Sequence, residues 1–229
     1  MVEYFNNGTP AGAVNASALK DTSNENLKAF IKLADVLGKI LSQIRRGSLQ
    51  KLTISFKGEL FQNSSKLLST ALLKGFLSEE LDSTVNYINA PILAEEMGIV
   101  LEEIISTENK EYLNLIETKI VTDSGEWKFS GTVFGSSELI IVEINNYPVE
   151  FKPEGNILLY KNIDKPGMLA SVSRELSLSN INIASLSLGR KTEGDYALTI
   201  INIDSPISEE VKNSISTIDG IKDIYTVCI

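Results

Sequence analysis

The sequence contains no histidine, a single cysteine and no long hydrophobic run. Without histidine, the chain lacks the commonest general base and the commonest zinc ligand. Cys228 alone cannot form an internal disulfide, which is typical of a reducing compartment, and we therefore expect a cytoplasmic protein. No apolar run reaches the ~18 residues that a transmembrane helix needs, and no basic-then-apolar signal opens the chain, so we expect no membrane partner.

Basic patches and nucleotide-binding motifs are also missing. The formal net charge is −9, and lysine and arginine form no cluster, so nucleic acid is not an expected partner. Neither G-x-G-x-x-G nor G-x-x-x-x-G-K-[ST] occurs, and the glycines of Gly131–Gly135 have the wrong spacing for either. No motif positions a pair of carboxylates for catalysis. We therefore assign no catalytic residue, metal ligand or cofactor contact to this chain.

The length of 229 residues and the 43% apolar content favour two small domains. Thr22–Glu25 is a capping-box pattern that opens a long helix, whose apolar stripe includes Leu33, Leu37 and Leu41 and which stops before Gly47. The other elements predicted in residues 1–152 are a strand at 52–60, helices at 65–78 and 90–98, and strands at 99–105, 113–121, 126–134 and 138–144. This mixture predicts an α+β domain with a largely antiparallel sheet.

Residues 159–190 read as an apolar strand, an Asp-Lys-Pro-Gly turn, an amphipathic helix and a second strand. Pro166 suits the first turn of the helix, where its missing N–H leaves no hydrogen bond unmade. Gly167 lets the backbone come close to a small ligand. Asp164 ends the first strand and Asn182 starts the second, so a carboxylate and a carboxamide could face the same small molecule.

Three motifs in this region resemble the ACT domain, a βαββαβ ferredoxin-like module that binds amino acids and regulates metabolic enzymes. They are D-x-P-G-x-L at Asp164–Leu169, N-I-N-I at Asn180–Ile183, and L-G-R at Leu188–Arg190. A strand at 196–204, a helix at 208–218 with Ser208 as N-cap and a strand at 223–229 complete the pattern. The predicted fold is therefore α+β, with an ACT domain over residues 153–229.

A second set of motifs precedes the ACT-like region and occurs in order along the chain. Its members are Thr9–Asn15, Leu33–Gly38, Phe56–Leu60, Leu73–Gly75, Val85–Pro91 with Ala94–Ile99, and Ser130–Gly135. Together they resemble the intervening, allosteric-substrate-binding domain of the long D-3-phosphoglycerate dehydrogenases, which an ACT domain follows directly. The resemblance implies that the NAD-dependent catalytic domain is a separate part, in cis or in trans. The iron–sulfur L-serine dehydratases carry related modules and are the alternative.

The resemblance also implies a site. L-serine would bind between two ACT domains, with Asn162 and Asp164 from one subunit and Asn182 from its neighbour, and would inhibit the enzyme by feedback. Backbone N–H groups at the helix start beside Pro166 and Gly167 would hold the carboxylate. Two alternatives stay open: Asp164 could cap this helix, and Asn182 could bond its own loop at the strand entry. Asn180 is expected in a left-handed conformation.

A second, anionic ligand site is the weaker expectation. By resemblance, a phosphate-bearing acid would bind between the two domains through basic side chains, and Lys152 is the counterpart present. Ile140 and Asn202 fall where further basic residues would be needed, and Lys152 could simply be an exposed lysine at the domain junction. Besides an L-serine sensor, a purely structural assembly module with a vestigial pocket remains an alternative function.

Overall fold

The computed structural model describes residues 25–107, 111–192 and 194–229. The predicted cap at Thr22 and the Thr9–Asn15 motif lie outside these residues. Across them, no helix is both long and apolar enough to cross a membrane. The described residues form helices and two mostly antiparallel sheets, which confirms the predicted α+β class.

Two long helices of the N-terminal half pack against each other. Within the described residues, the helical elements of this half are α1 (Glu25–Ile44), a 3₁₀ turn (Glu59–Phe61), α2 (Ser65–Glu80) and α3 (Ala90–Glu96). The helices α1 and α2 approach most closely at Gly38 and Gly75. A β-carbon on Gly38 would lie 2.1 Å from the Leu72 carbonyl oxygen, and one on Gly75 would lie 1.9 Å from that of Asp35. These glycines belong to two of the predicted family motifs, and only a residue without a side chain fits there.

A six-stranded sheet packs against α1. Its strands are β1 (Leu49–Lys57), β2 (Leu101–Ser106), β3 (Leu115–Thr122), β4 (Gly125–Phe134), β5 (Glu138–Ile144) and β6 (Tyr147–Phe151). They lie in the order β2-β1-β3-β4-β5-β6, with β1 and β2 parallel and the other neighbours antiparallel. Asn145 and Asn146 both have positive φ, 50° and 62°, as a tight hairpin requires. The strand β6 after this turn was not among the predicted elements.

The C-terminal region has the predicted βαββαβ order. It comprises β7 (Asn156–Ile163), α4 (Met168–Leu178), β8 (Ile183–Arg190), β9 (Tyr196–Ile203), α5 (Glu209–Ser216) and β10 (Ile221–Cys228), and its sheet has the order β10-β7-β9-β8. Two local predictions are confirmed. Ser208 caps α5 by accepting a hydrogen bond from the Val211 N–H, and Asn180 has a φ of 57°.

One face of the C-terminal sheet packs on α4 and α5, and the other face packs on the N-terminal half. Side chains of β7 and β9, such as Leu159 and Ile200, share a continuous core with α1 and the first sheet. The Gln43 side chain of α1 also donates to the Cys228 carbonyl and accepts from its N–H, both at 2.8 Å. The predicted boundary after Lys152 falls in the short connection between β6 and β7.

Candidate ligand-binding cleft

An open cleft of about 510 Å³ lies where β7 ends and α4 begins. Its lining combines polar groups from the strand ends with small and apolar groups from α4. It is lined by Asn162, Asp164, Lys165, Gly167, Met168, Leu169, Ala170, Ser173, Leu188 and Thr199. The cleft therefore includes three of the predicted site residues, and it is large enough for a small amino acid. Pro166 is exposed beside it, and Asn182 is not part of it.

The start of α4 opens into this cleft. Gly167 is the N-cap residue, with a φ of 92°, and it carries no capping side chain. The helix begins at Met168, so the prediction that Pro166 lies in its first turn is wrong, and Pro166 instead precedes the cap. The alternative in which Asp164 caps the helix is also wrong. The first-turn N–H groups have no intrahelical acceptor, so they remain available to water or to an anion.

Asp164 connects the end of β7 to the hairpin between β8 and β9. Its Oδ2 atom accepts a hydrogen bond from the Gly194 N–H at 3.3 Å and lies 3.3 Å from the Arg190 Nη1. Its own N–H donates to the Asp195 carbonyl at 2.8 Å. The carboxylate thus sits at the cleft with a cationic partner, although its side chain stays 20% exposed. Arg190 belongs to the predicted L-G-R motif, but the motif by itself does not indicate this contact with Asp164.

Asn162 is buried at the base of the cleft, with 3% of its surface exposed. Its Oδ1 accepts from the Thr199 hydroxyl at 3.1 Å, and its Nδ2 donates to the Ile163 carbonyl at 2.8 Å. Among the described residues the second N–H of the carboxamide has no acceptor, so it can donate to a ligand. Sequence reasoning missed Thr199, although its position in the alternating strand 196–204 could have placed it on the same sheet face as Ala197 and Ile201.

Tyr160 lies beneath Asn162 on the same face of β7 and is completely buried. Burial raises the pKa of Tyr160 to about 12, because the ionised phenolate would have little solvation there. Within the described residues its hydroxyl makes no hydrogen bond of good geometry, although the nearby Thr199 hydroxyl opposes part of the rise in its pKa. The base of the cleft therefore rests on a neutral, packed side chain.

Asn182 lies at the other end of the same sheet. Strands β7 and β8 both run antiparallel to β9, so they run parallel to each other. Asn182 precedes β8, whereas Asp164 follows β7, and the length of β8 separates the two positions by about 25 Å. The Asn182 Nδ2 donates to the Asp204 Oδ2 at 2.8 Å, at the end of β9. One subunit alone does not bring Asn182 to the cleft.

Lys152 lines a different cleft, of about 590 Å³, between β6 and the C-terminal sheet. Ile140 and Asn202 line it as well, so the three positions considered for an anion site do meet. The Lys152 ammonium pairs with Glu138 at 2.5 Å, and this hydrogen bond raises the pKa of Lys152. Three further carboxylates line the same cleft: Glu150, Glu154 and Asp204. This arrangement opposes a phosphate-bearing ligand.

The side chain of Asn202 makes structural hydrogen bonds in that second cleft. Its Nδ2 donates to the carbonyls of Lys152 and Glu154, at 3.1 and 3.0 Å, and its Oδ1 accepts from the Ser185 hydroxyl at 3.0 Å. The carboxamide therefore attaches the connection between the two sheets to the C-terminal sheet.

Two family sequence models match the chain. The model of the D-3-phosphoglycerate dehydrogenase intervening domain matches residues 26–145, and that of the ACT domain matches residues 157–220. The chain belongs to the D-3-phosphoglycerate dehydrogenase intervening-domain family. Both resemblances inferred from the sequence motifs are thereby confirmed, and the cleft described above lies in the ACT domain.

Proteins named D-3-phosphoglycerate dehydrogenase are similar to this chain over most of its length. The one from Synechocystis sp. is 32% identical over 222 residues, which are 96% of this chain and 40% of that protein. The one from Methanocaldococcus jannaschii is 37% identical over 203 residues, 88% and 38% respectively. The one from Bacillus subtilis is 29% identical over 227 residues, 99% and 43%. The chain therefore spans about 40% of the length of these curated relatives.

Proposed function

We propose that this chain is the amino-acid-sensing and assembly part of a D-3-phosphoglycerate dehydrogenase. L-serine binds at the ACT domain and inhibits, by feedback, a catalytic domain held in cis or in trans. Two lines of support exist: the intervening and ACT domains occur together in one chain, and the cleft at Asp164 has groups for both charges of an amino acid.

The chemistry of the cleft suits a small zwitterion. The Asp164 carboxylate can pair with the ligand's ammonium group. The uncapped first turn of α4, after Gly167, can bind the carboxylate through N–H groups at the positive end of the helix. The remaining N–H of Asn162 can donate to the ligand. Gly167 and Ala170 line the same cleft and leave room for a short side chain such as that of serine.

The observation that carries the proposal is that Asp164 and Asn182 lie at opposite ends of the same sheet. Within the described residues, β8 is the edge strand of its sheet and pairs with no strand other than β9; β6 contacts it through the hydrogen bond from the Glu150 N–H to the Ser187 hydroxyl. Leu186 and Leu188 on it are 41% and 43% exposed, which is typical of a surface that another chain covers. An antiparallel pairing of two β8 strands about a two-fold axis would bring Asn182 of one copy to Asp164 of the other.

Calorimetric titration of the chain with L-serine tests this proposal, with glycine as a second ligand. We expect one class of site, selective for L-serine, and a rise in melting temperature on binding. Asp164→Ala should abolish the binding, whereas Asp82→Ala, at an exposed loop position of the first domain, should leave it unchanged. A flat titration on a folded, oligomeric sample would instead favour an assembly module with a vestigial pocket.

A further inference from the structure

The edge strand β8 has opposite charges at its two ends. Arg190 is its last residue, and the guanidinium-bearing side chain is 57% exposed. Asp204 lies beside the start of the strand, where it accepts a hydrogen bond from the neutral Asn182 side chain. Within the described part of the chain, Asp204 has no cationic partner. Two such edges that pair antiparallel therefore bring a cation of each copy to an anion of the other.

The present partner of Arg190 holds it weakly. A single N–O distance of 3.3 Å joins its Nη1 atom to Asp164, which is longer than the ~2.7–2.9 Å of a good charge-assisted hydrogen bond. The pair is not bidentate, and the arginine is largely in solvent, where such pairs contribute little. Asp164 keeps a second donor in the Gly194 N–H, so it is not left without a partner if Arg190 moves away.

We propose that Arg190 changes partner when two copies assemble, leaving Asp164 and binding Asp204 of the second copy. This inference rests on the proposed function, because it takes Asp164 as the group that binds the ligand's ammonium. In the single chain the Arg190 guanidinium contacts the Asp164 carboxylate. In the dimer that carboxylate is free to bind the ammonium group of the ligand. Assembly thereby makes the cleft competent, and by linkage the bound amino acid strengthens assembly by the same factor.

Asn182 supports this exchange. It is the residue that the second copy has to supply to the cleft, and its hydrogen bond at 2.8 Å connects it to Asp204. A pairing that brings Asn182 to Asp164 therefore also brings Asp204 to Arg190, since both pairs lie at the same two ends of β8. Assembly therefore brings Asn182 of the second copy to the cleft and removes Arg190 from Asp164 at the same time.

A double-mutant cycle on the dimer dissociation constant, measured by sedimentation equilibrium, tests the new pair. Arg190→Gln and Asp204→Asn should each weaken the dimer at least tenfold, because a two-fold interface contains the pair twice. The double variant should be within about twofold of either single variant. Asp204→Asn keeps an acceptor for Asn182. Lys212→Gln and Glu209→Gln remove an ion pair within α5, away from β8, and should change nothing. Additive single effects, or a dimer indifferent to Arg190→Gln, would overturn the inference.

Titration with L-serine supplies the second readout. At concentrations where Arg190→Gln is still dimeric, its L-serine affinity should stay within threefold of the wild type, because Asp164 is already free in the pair. A clearly tighter affinity of this dimeric variant would mean that Arg190 still occupies Asp164 there, and it would contradict the exchange. If the wild type dimerises but Arg190→Gln and Asp204→Asn have additive effects on the dimer dissociation constant, only the partner exchange is refuted. Failure of the wild-type dimer to bind L-serine refutes the proposed function, and a wild type that stays monomeric refutes both.

Discussion

The indole ring of Trp127 meets the phenol ring of Tyr225 edge-on, with their centroids 4.9 Å apart and their planes at 81°. Trp127 belongs to the first sheet and Tyr225 to the last strand of the ACT sheet. The Arg46 guanidinium lies over the Tyr225 ring, 4.2 Å from its centroid, and donates to the Ile224 carbonyl at 3.0 Å. This contact joins the two domains through packed side chains.

Trp127→Ala should lower the free energy of unfolding by about 2 kcal/mol, because it removes an aromatic pair and leaves the interface underpacked. Urea unfolding followed by circular dichroism measures the loss. We expect the unfolding to become broader, since the two domains lose a part of their coupling. Trp127→Phe keeps a ring at the interface and should retain most of the stability; an equal loss in both variants would contradict the role of the ring contact.

Gly38→Ala should destabilise the first domain by about 3 kcal/mol, at the upper end for overpacking. The new β-carbon would lie 2.1 Å from the Leu72 carbonyl oxygen, which is backbone and can move only if the helices α1 and α2 separate. Lys32→Ala changes an exposed position of α1 and serves as the control. Thermal unfolding compares the three proteins. If the Gly38→Ala protein were as stable as the Lys32→Ala protein, the helices α1 and α2 could move apart at Gly38 without a loss of stability.

Thr199→Val should reduce L-serine affinity roughly fivefold while it preserves the fold. The hydroxyl of Thr199 donates to the Asn162 Oδ1 and so determines which end of the carboxamide faces the cleft. Without it, Asn162 can rotate, and a hydrogen bond of this kind contributes about 1 kcal/mol. Calorimetric titration measures the effect. Thr118→Val removes another buried hydroxyl, in the first sheet, and should leave the affinity unaltered.

Tyr160→Phe should increase stability by about 1 kcal/mol at pH 7, because it removes a buried hydroxyl that makes no hydrogen bond of good geometry within the described residues. The advantage should grow at alkaline pH. The pKa of Tyr160 is raised from 10.0 to about 12 by burial, so the wild type loses stability as the pH rises from about 10 to about 12. Urea titrations at pH 7 and above 10 measure the difference. If the stability difference between the two proteins were the same at both pH values, the raised pKa of Tyr160 would be contradicted.

Glu117→Gln should lower stability by about 1 kcal/mol at pH 7, discounted for partial exposure. Burial opposes ionisation of Glu117, but hydrogen bonds from Lys128 at 2.8 Å and Lys57 at 3.2 Å lower its pKa overall. A lowered pKa stabilises the fold above the ordinary value of 4.5, and this contribution is lost as the pH falls below it. The wild-type advantage should therefore shrink in acid. Glu126→Gln breaks a more exposed pair and should have little effect.

Local features of the fold could be predicted from the sequence where each depends on a few neighbouring residues. The Ser208 cap and the left-handed Asn180 follow from side-chain chemistry within one turn. The strand β6 was missed because it is short and contains Pro148, which argues against a strand until its edge position is known. Similarly, Pro166 suits a helix start, but Gly167 with its positive φ is the residue that caps α4.

The sequence by itself determined the two-domain order and the βαββαβ succession, because motifs and hydrophobic periodicity are local properties. The resemblance to the family nominated Asn162, Asp164 and Asn182 as ligand-binding residues, and this stays a prediction. Only the tertiary structure decided which of these residues meet. Arg190 lies opposite Asp164 because β7 and β8 are both antiparallel to β9 and therefore end on the same side. For the same reason Asn182 lies at the far end of the sheet from Asp164. This separation depends on how strands that are distant in the sequence pair, and no local sequence pattern reveals it.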